Sequence, residues 1–160
     1  MAANLYDFLA KYLWIALIFA TFVNGASWWL RGQPYRDEDP SLTSEYRTVI
    51  SSFLVLLNIP WLIMGAGILF GGVPNVVYYL NPRFPTPFVT AFFGSLLVTW
   101  AIITYWILAR GGAEQLVKLP GFIEPNTSVT VIKAAWSLAI LIAVAGILWL
   151  YAKDIQPADL

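Results

Sequence analysis

The chain contains neither cysteine nor histidine. Without cysteine there are no disulfides, no thiolate nucleophile and no iron–sulfur ligation. Without histidine the commonest general base, metal ligand and haem ligand is missing. Charge is scarce as well: only 11% of the 160 residues are charged, where a soluble domain carries about 25%. Nine Lys and Arg balance nine Asp and Glu, so there is no basic footprint for nucleic acid. These absences predict no bound metal, no cofactor and no nucleic-acid partner.

What the chain has in place of charge is apolar surface, 59% of its residues, with a mean hydropathy of +0.71. A bilayer core about 30 Å thick is crossed by about 20 largely apolar residues in a helix. The uncharged runs are 12–30, 48–82, 84–109 and 134–152. Charges fall between them, and so avoid the roughly 2.5–3.5 kcal/mol of a charge at a helix centre. The second run is too long for one helix. Gly71-Gly72-Val73-Pro74 breaks it, since glycine favours a helix end and proline lacks the donor.

The reading is an all-α, four-transmembrane-helix bundle with short interfacial loops, one polytopic domain over 1–160. The spans are placed near 12–30, 48–70, 87–110 and 129–152. Residues 74–86, with four prolines in and beside them, are read as an interfacial loop whose Tyr78 and Tyr79 sit at headgroup depth. Asp39-Pro40, Thr86-Pro87 and Asn126-Thr127-Ser128 are helix-start signals, and the second helix is expected to begin near residue 40, outside the bilayer. Asp7 and the length of the first run argue against a secretory leader.

Four spans place both termini and the middle loop on one side, called side A, and the loops 31–47 and 110–133 on the other, side B. Side B carries Arg31, Arg36, Arg47, Arg110, Lys118 and Lys133; side A carries Lys11, Arg83 and Lys153. The positive-inside rule then makes side B cytoplasmic and puts both termini on the opposite side, in a bacterial-type inner membrane or its equivalent. The acidic run Asp37-Glu38-Asp39 lacks the spacing of a calcium loop and reads as a solvated loop neutralised by neighbouring arginines. Residues 113–118 read as one or two helical turns lying on the membrane, with Leu116, Val117 and Leu119 toward lipid and Glu114 paired to Lys118.

Each span carries small residues four apart: Ala16, Ala20 and Asn24; Ala91, Ser95 and Thr99; Ala135, Ala139 and Ala143. In the second span Ser51, Asn58 and Gly65 recur every seven, and Gly67 to Gly71 forms a GxxxG. Such faces let membrane helices approach closely, so the four ridges are expected to form the bundle core, with GxxxG as a candidate dimer face. Polar side chains gather in the side-B half. Counting 1.5 Å per residue, Asn24 lies about 9 Å deep and Asn58 about 15 Å deep. Asn24, Asn58, Thr99, Thr104 and Ser137 are therefore candidates for interhelical bonds or a polar cleft, and the side-A half is expected to be sealed. Pro60 frees the carbonyl of Leu56 and kinks the second span, leaving Trp61 and Trp100 as candidate aromatic walls.

No Asp or Glu lies inside a span, so the carboxylate relay of proton-coupled transport is missing. The leading expectation is a non-catalytic accessory, assembly or scaffold subunit. Its partners would be the lipid bilayer and another membrane protein or a further copy of itself. The alternative is a small-molecule or lipid-binding membrane protein, a transporter or lipid-facing enzyme, using the side-B cleft.

Overall fold

The computed structural model describes residues 2–124 and 126–153. Its elements are α1 (Ala2–Arg31), α2 (Gln33–Glu38), α3 (Leu42–Phe70), a 3-10 helix (Val76–Leu80), α4 (Pro87–Ala109), α5 (Gly112–Lys118) and α6 (Val129–Lys153). Among the described residues four helices, α1, α3, α4 and α6, are long and apolar enough to cross a membrane. The segment between α3 and α4 carries only the short 3-10 helix, too short to span. The spans stand in a row: α1 packs along α3, α3 along α4, and α4 more lightly along α6. The core therefore sits on α3 and α4, while α6 has no buried residue at all.

Helix ends follow local chemistry. Thr86 Oγ1 accepts from Val89 N at 3.3 Å, with Pro87 at the first helical position of α4. Ser128 Oγ accepts from Val131 N at 3.3 Å at the head of α6. α3 starts at Leu42, two residues after Pro40, and Asp39 Oδ1 accepts from Ser41 N at 3.0 Å just before it. At the other end Gly72 takes φ +70° and Val73 N reaches back to Gly67 O at 3.1 Å, a six-residue closure that needs a left-handed residue.

The expected small-residue ridges are met only in part: Asn58, Gly65 and Thr99 are buried at helix contacts, but most of the other members are not. Ala16, Ala20, Asn24, Ser51, Ala91, Ala135 and Ala139 are exposed. The close approaches are instead rings seated on glycines. A Cβ added to Gly65 would lie 2.6 Å from the ring of Trp14, and one on Gly67 would lie 2.0 Å from Tyr79 Oη. One on Gly71 would lie 2.3 Å from Phe88, and one on Gly112 would lie 2.4 Å from Trp106. The GxxxG face is thus filled from within the chain by Phe88 and Tyr79, which corrects its reading as a dimer face. Lipid tails are as apolar as these rings, so the stabilisation is close dispersion contact rather than removal from water.

Three further expectations are corrected. Tyr79 does not stand out from the protein but is buried in its core: its hydroxyl donates to Met64 O at 3.1 Å, and burial pushes its pKa up to about 12. The loop after Arg31 folds as α2 and buries Arg36, which donates from Nη1 to Trp29 O at 2.8 Å and lies 3.7 Å over that indole. An aromatic face can replace a carboxylate partner for a cation withdrawn from water. In α5, Leu116 and Leu119 face Tyr46, Val49 and Ile50 rather than lipid. Tyr46 donates to Pro120 O, and Phe122 stacks on Trp28 at 5.2 Å, so the turn after α5 is pinned to α1 and α3.

Gly65→Val should lower stability in detergent by about 1–3 kcal/mol, because the new side chain would occupy the place of the Trp14 ring. Gly94→Ala and Gly146→Ala, where nothing lies within 4 Å, should be neutral or stabilising by about 0.5–1 kcal/mol. Thermal unfolding of the three variants checks the contrast; equal effects would contradict the ring-on-glycine packing.

Candidate functional site

The polar residues singled out in the side-B half do not converge on one cleft. They distribute as one hydrogen bond on each seam of the row. Between α1 and α3, the Thr21 hydroxyl shares its one proton between Ile18 O at 2.7 Å and Asn58 Oδ1 at 2.9 Å, and Asn58 Nδ2 donates to Leu54 O at 2.7 Å. Asn58 is only 6% exposed. Between α3 and α4, Thr99 Oγ1 donates to Leu56 O at 3.3 Å, the carbonyl that Pro60 leaves without its helical donor. Between α4 and α6, Trp136 Nε1 donates to Thr104 Oγ1 at 2.9 Å. Ser137 is half-buried on α6 and joins none of these pairs.

Asn24 is the exception. It lies on the outward face of α1 with Ala16 and Ala20, away from α3, and makes no side-chain hydrogen bond among the described residues. The face of α1 that meets α3 runs through Trp14, Thr21, Gly25 and Trp28. In the sequence Thr21 carries little signal of its own, because a lone threonine in a span weighs less than an asparagine. Its position seven residues from both Trp14 and Trp28 would have placed it on their face.

Trp61 and Trp100 do not wall a common site. Trp61 packs on Phe92 at 5.9 Å and lines an apolar groove of about 380 Å³ in the side-A half. Leu13 and Leu17 of α1 form one flank of this groove, and Ile147 and Leu150 of α6 form the other. That half is therefore open rather than sealed. Trp100 is half-buried on α4 and lines neither this groove nor the one at side B.

The second groove, about 210 Å³, lies at the side-B end between α3, α4 and α5. Phe53, Leu56, Ile103 and Trp106 form its apolar floor. Thr48, Ser52 and Gln115 bring polar atoms to its edge. Nothing in the spacing of Gln115 alone marked it, because it enters the groove only once α5 folds onto α3. Among the described residues no group of three His, Cys, Asp or Glu is placed to hold a metal ion.

At the same end Lys133 Nζ meets Glu114 Oε1 at 2.8 Å and ties α6 to α5, so Glu114 pairs across helices and not with Lys118. The hydrogen bond from Lys133 holds the Glu114 carboxyl below its ordinary value, helped by a backbone hydrogen bond and opposed by burial. A depressed folded pKa contributes stability that is complete above the unfolded value and is lost as pH falls through the folded one. Wild type should therefore lose this tie on acidification below the usual carboxylate range. Lys133→Met should fold, and its stability should lack that step. Melting temperature against pH for the two proteins reads the difference; parallel curves would contradict the pairing.

The Thr21–Asn58 bond is expected to act as packing glue. Asn58→Leu should lower stability by about 1 kcal/mol or less, and a double-mutant cycle with Thr21→Val should return a coupling of about 0.6 kcal/mol. A coupling near zero would contradict the bond.

No protein family, curated protein or solved structure matches this chain, so its function has to be argued from the geometry above.

Proposed function

We propose that this chain is a non-catalytic integral membrane protein, an accessory, assembly or scaffold subunit that packs against another membrane protein through the outward face of α1. The observation that carries this reading is Asn24. Its amide stands exposed on a helix long and apolar enough to span, without a partner among the described residues. Seven residues from Arg31, it lies about 10 Å below the side-B end of α1. An amide left unpaired in hydrocarbon costs about 2–7 kcal/mol, so a polar group from outside the chain is needed there. Ala16 and Ala20 on the same face leave room for a neighbouring backbone to approach, the usual condition for helix association in lipid. The scarcity of chemistry supports the same reading: no histidine, no cysteine and no carboxylate within a span.

In this reading side B faces the cytoplasm, because six of the nine basic residues flank the spans there. The membrane is a bacterial-type inner membrane or its equivalent.

Site-specific photo-crosslinking tests the proposal. A crosslinker at Ala20 should give one adduct of discrete mass in native membranes, and one at Phe22, on the opposite side of α1, should give none. Asn24→Leu should weaken the Ala20 adduct several-fold. The absence of an adduct at Ala20, or the same diffuse products from both positions, would contradict it.

A further inference from the structure

The side-B groove has an apolar floor and hydrogen-bonding groups at its edge, and two lining helices each carry a charged residue one turn beyond it. The floor is Phe53 and Leu56 from α3 and Ile103 and Trp106 from α4. At the edge, Ser52 and Gln115 make no side-chain hydrogen bond among the described residues. Two charged residues continue the lining faces outward. Glu45 precedes Val49 by four residues on α3, and Arg110 follows Trp106 by four on α4, and both Val49 and Trp106 line the groove. Four residues on a helix return to the same face about 6 Å further along. Glu45 and Arg110 are both exposed, and neither forms an ion pair among the described residues. The nearest carboxylate to Arg110 in sequence, Glu114, is committed to Lys133.

A floor in hydrocarbon, an edge at its boundary and charges one turn beyond match the layers of a phospholipid in order. A cation alone would suit any phosphate. A carboxylate at the same end of the neighbouring helix disfavours a net anionic headgroup and suits one that carries its own ammonium. A primary ammonium donates three hydrogen bonds to a carboxylate, which a quaternary choline cannot do. We propose that this groove binds one zwitterionic ethanolamine phospholipid of the side-B leaflet. An acyl chain lies on Phe53, Leu56 and Trp106, the ester region is within reach of Ser52 and Gln115, the phosphate pairs with Arg110, and the ammonium pairs with Glu45. The other side-B charges are placed elsewhere: Arg47 lies about half a turn round α3 from Val49, and Asp37 lies on α2, which packs on α1 and α3.

Native mass spectrometry of the purified protein, titrated separately with phosphatidylethanolamine, phosphatidylcholine and phosphatidylglycerol of identical chains, tests this. Wild type should retain one phosphatidylethanolamine per chain, about threefold to fivefold in preference to phosphatidylcholine, the size expected of one charge contact at a membrane surface. Glu45→Gln should abolish that preference, Arg110→Gln should weaken retention of both zwitterionic lipids, and Asp37→Asn and Arg47→Gln should change neither. Ser52→Trp, at an exposed position on the edge, should reduce retention of every lipid. Equal retention of ethanolamine and choline lipids by wild type, tighter retention of phosphatidylglycerol, or a preference that survives Glu45→Gln would each overturn the proposal, as would its loss in Asp37→Asn.

Discussion

The seating of aromatic rings on the glycines of α3 is the constraint on which the rest of the arrangement depends. Trp14 comes from α1, Tyr79 from the 3-10 helix and Phe88 from the first turn of α4, and all converge on Gly65, Gly67 and Gly71 within two turns of one helix. A side chain at any of these glycines would displace a whole element. In water such contacts would add to the removal of apolar surface from solvent. In lipid they must out-compete equally apolar acyl chains, so closeness of approach is what distinguishes protein from solvent. Because the rings fill α3 from both sides, α3 lies between α1 and α4, and α6 is left at the end of the row with only lateral support.

Polar groups then refine what the rings establish. Among the described residues each seam of the row carries a hydrogen bond, and each is local in its logic. Asn58 is satisfied by Thr21, the carbonyl released by Pro60 by Thr99, and the indole of Trp136 by Thr104. Individually such bonds in membranes are worth about 0.6 kcal/mol; their value lies in fixing the axial offset of neighbouring helices. Outside the spans Arg36, Tyr46 and Phe122 perform the corresponding task at the side-B end, gathering α2 and the turn after α5 onto α1 and α3.

Hydropathy and the breakers are enough to read the four long apolar helices, the short segment before Pro87 and the caps at Thr86 and Ser128, because helix length and capping are local requirements. The facing of the helices was less legible. A small residue in a membrane helix permits close approach without saying what approaches. Ala16 and Ala20 on α1 and Ala135 and Ala139 on α6 face outward, whereas on α3 the glycines receive rings contributed from elsewhere in the chain. Charge alone predicts exposure for Arg36, and the rings of Trp29 and Tyr46 with the carbonyl of Trp29 are what permit its burial. The side-B groove drew its edge from Gln115 of α5, a tertiary placement that no periodicity encodes.

The central claim is that the face bearing Ala16, Ala20 and Asn24 is bare in the isolated chain and covered by another protein in its membrane. The absence of native cysteine makes a direct measurement possible. Ala20→Cys can be reacted with a lipid-soluble maleimide, first in native membranes and then after purification into nanodiscs, with Phe19→Cys as a lipid-facing reference. The account predicts that position 20 is several-fold protected in native membranes and reacts as readily as position 19 once isolated. Equal reactivity of the two positions in native membranes would contradict it.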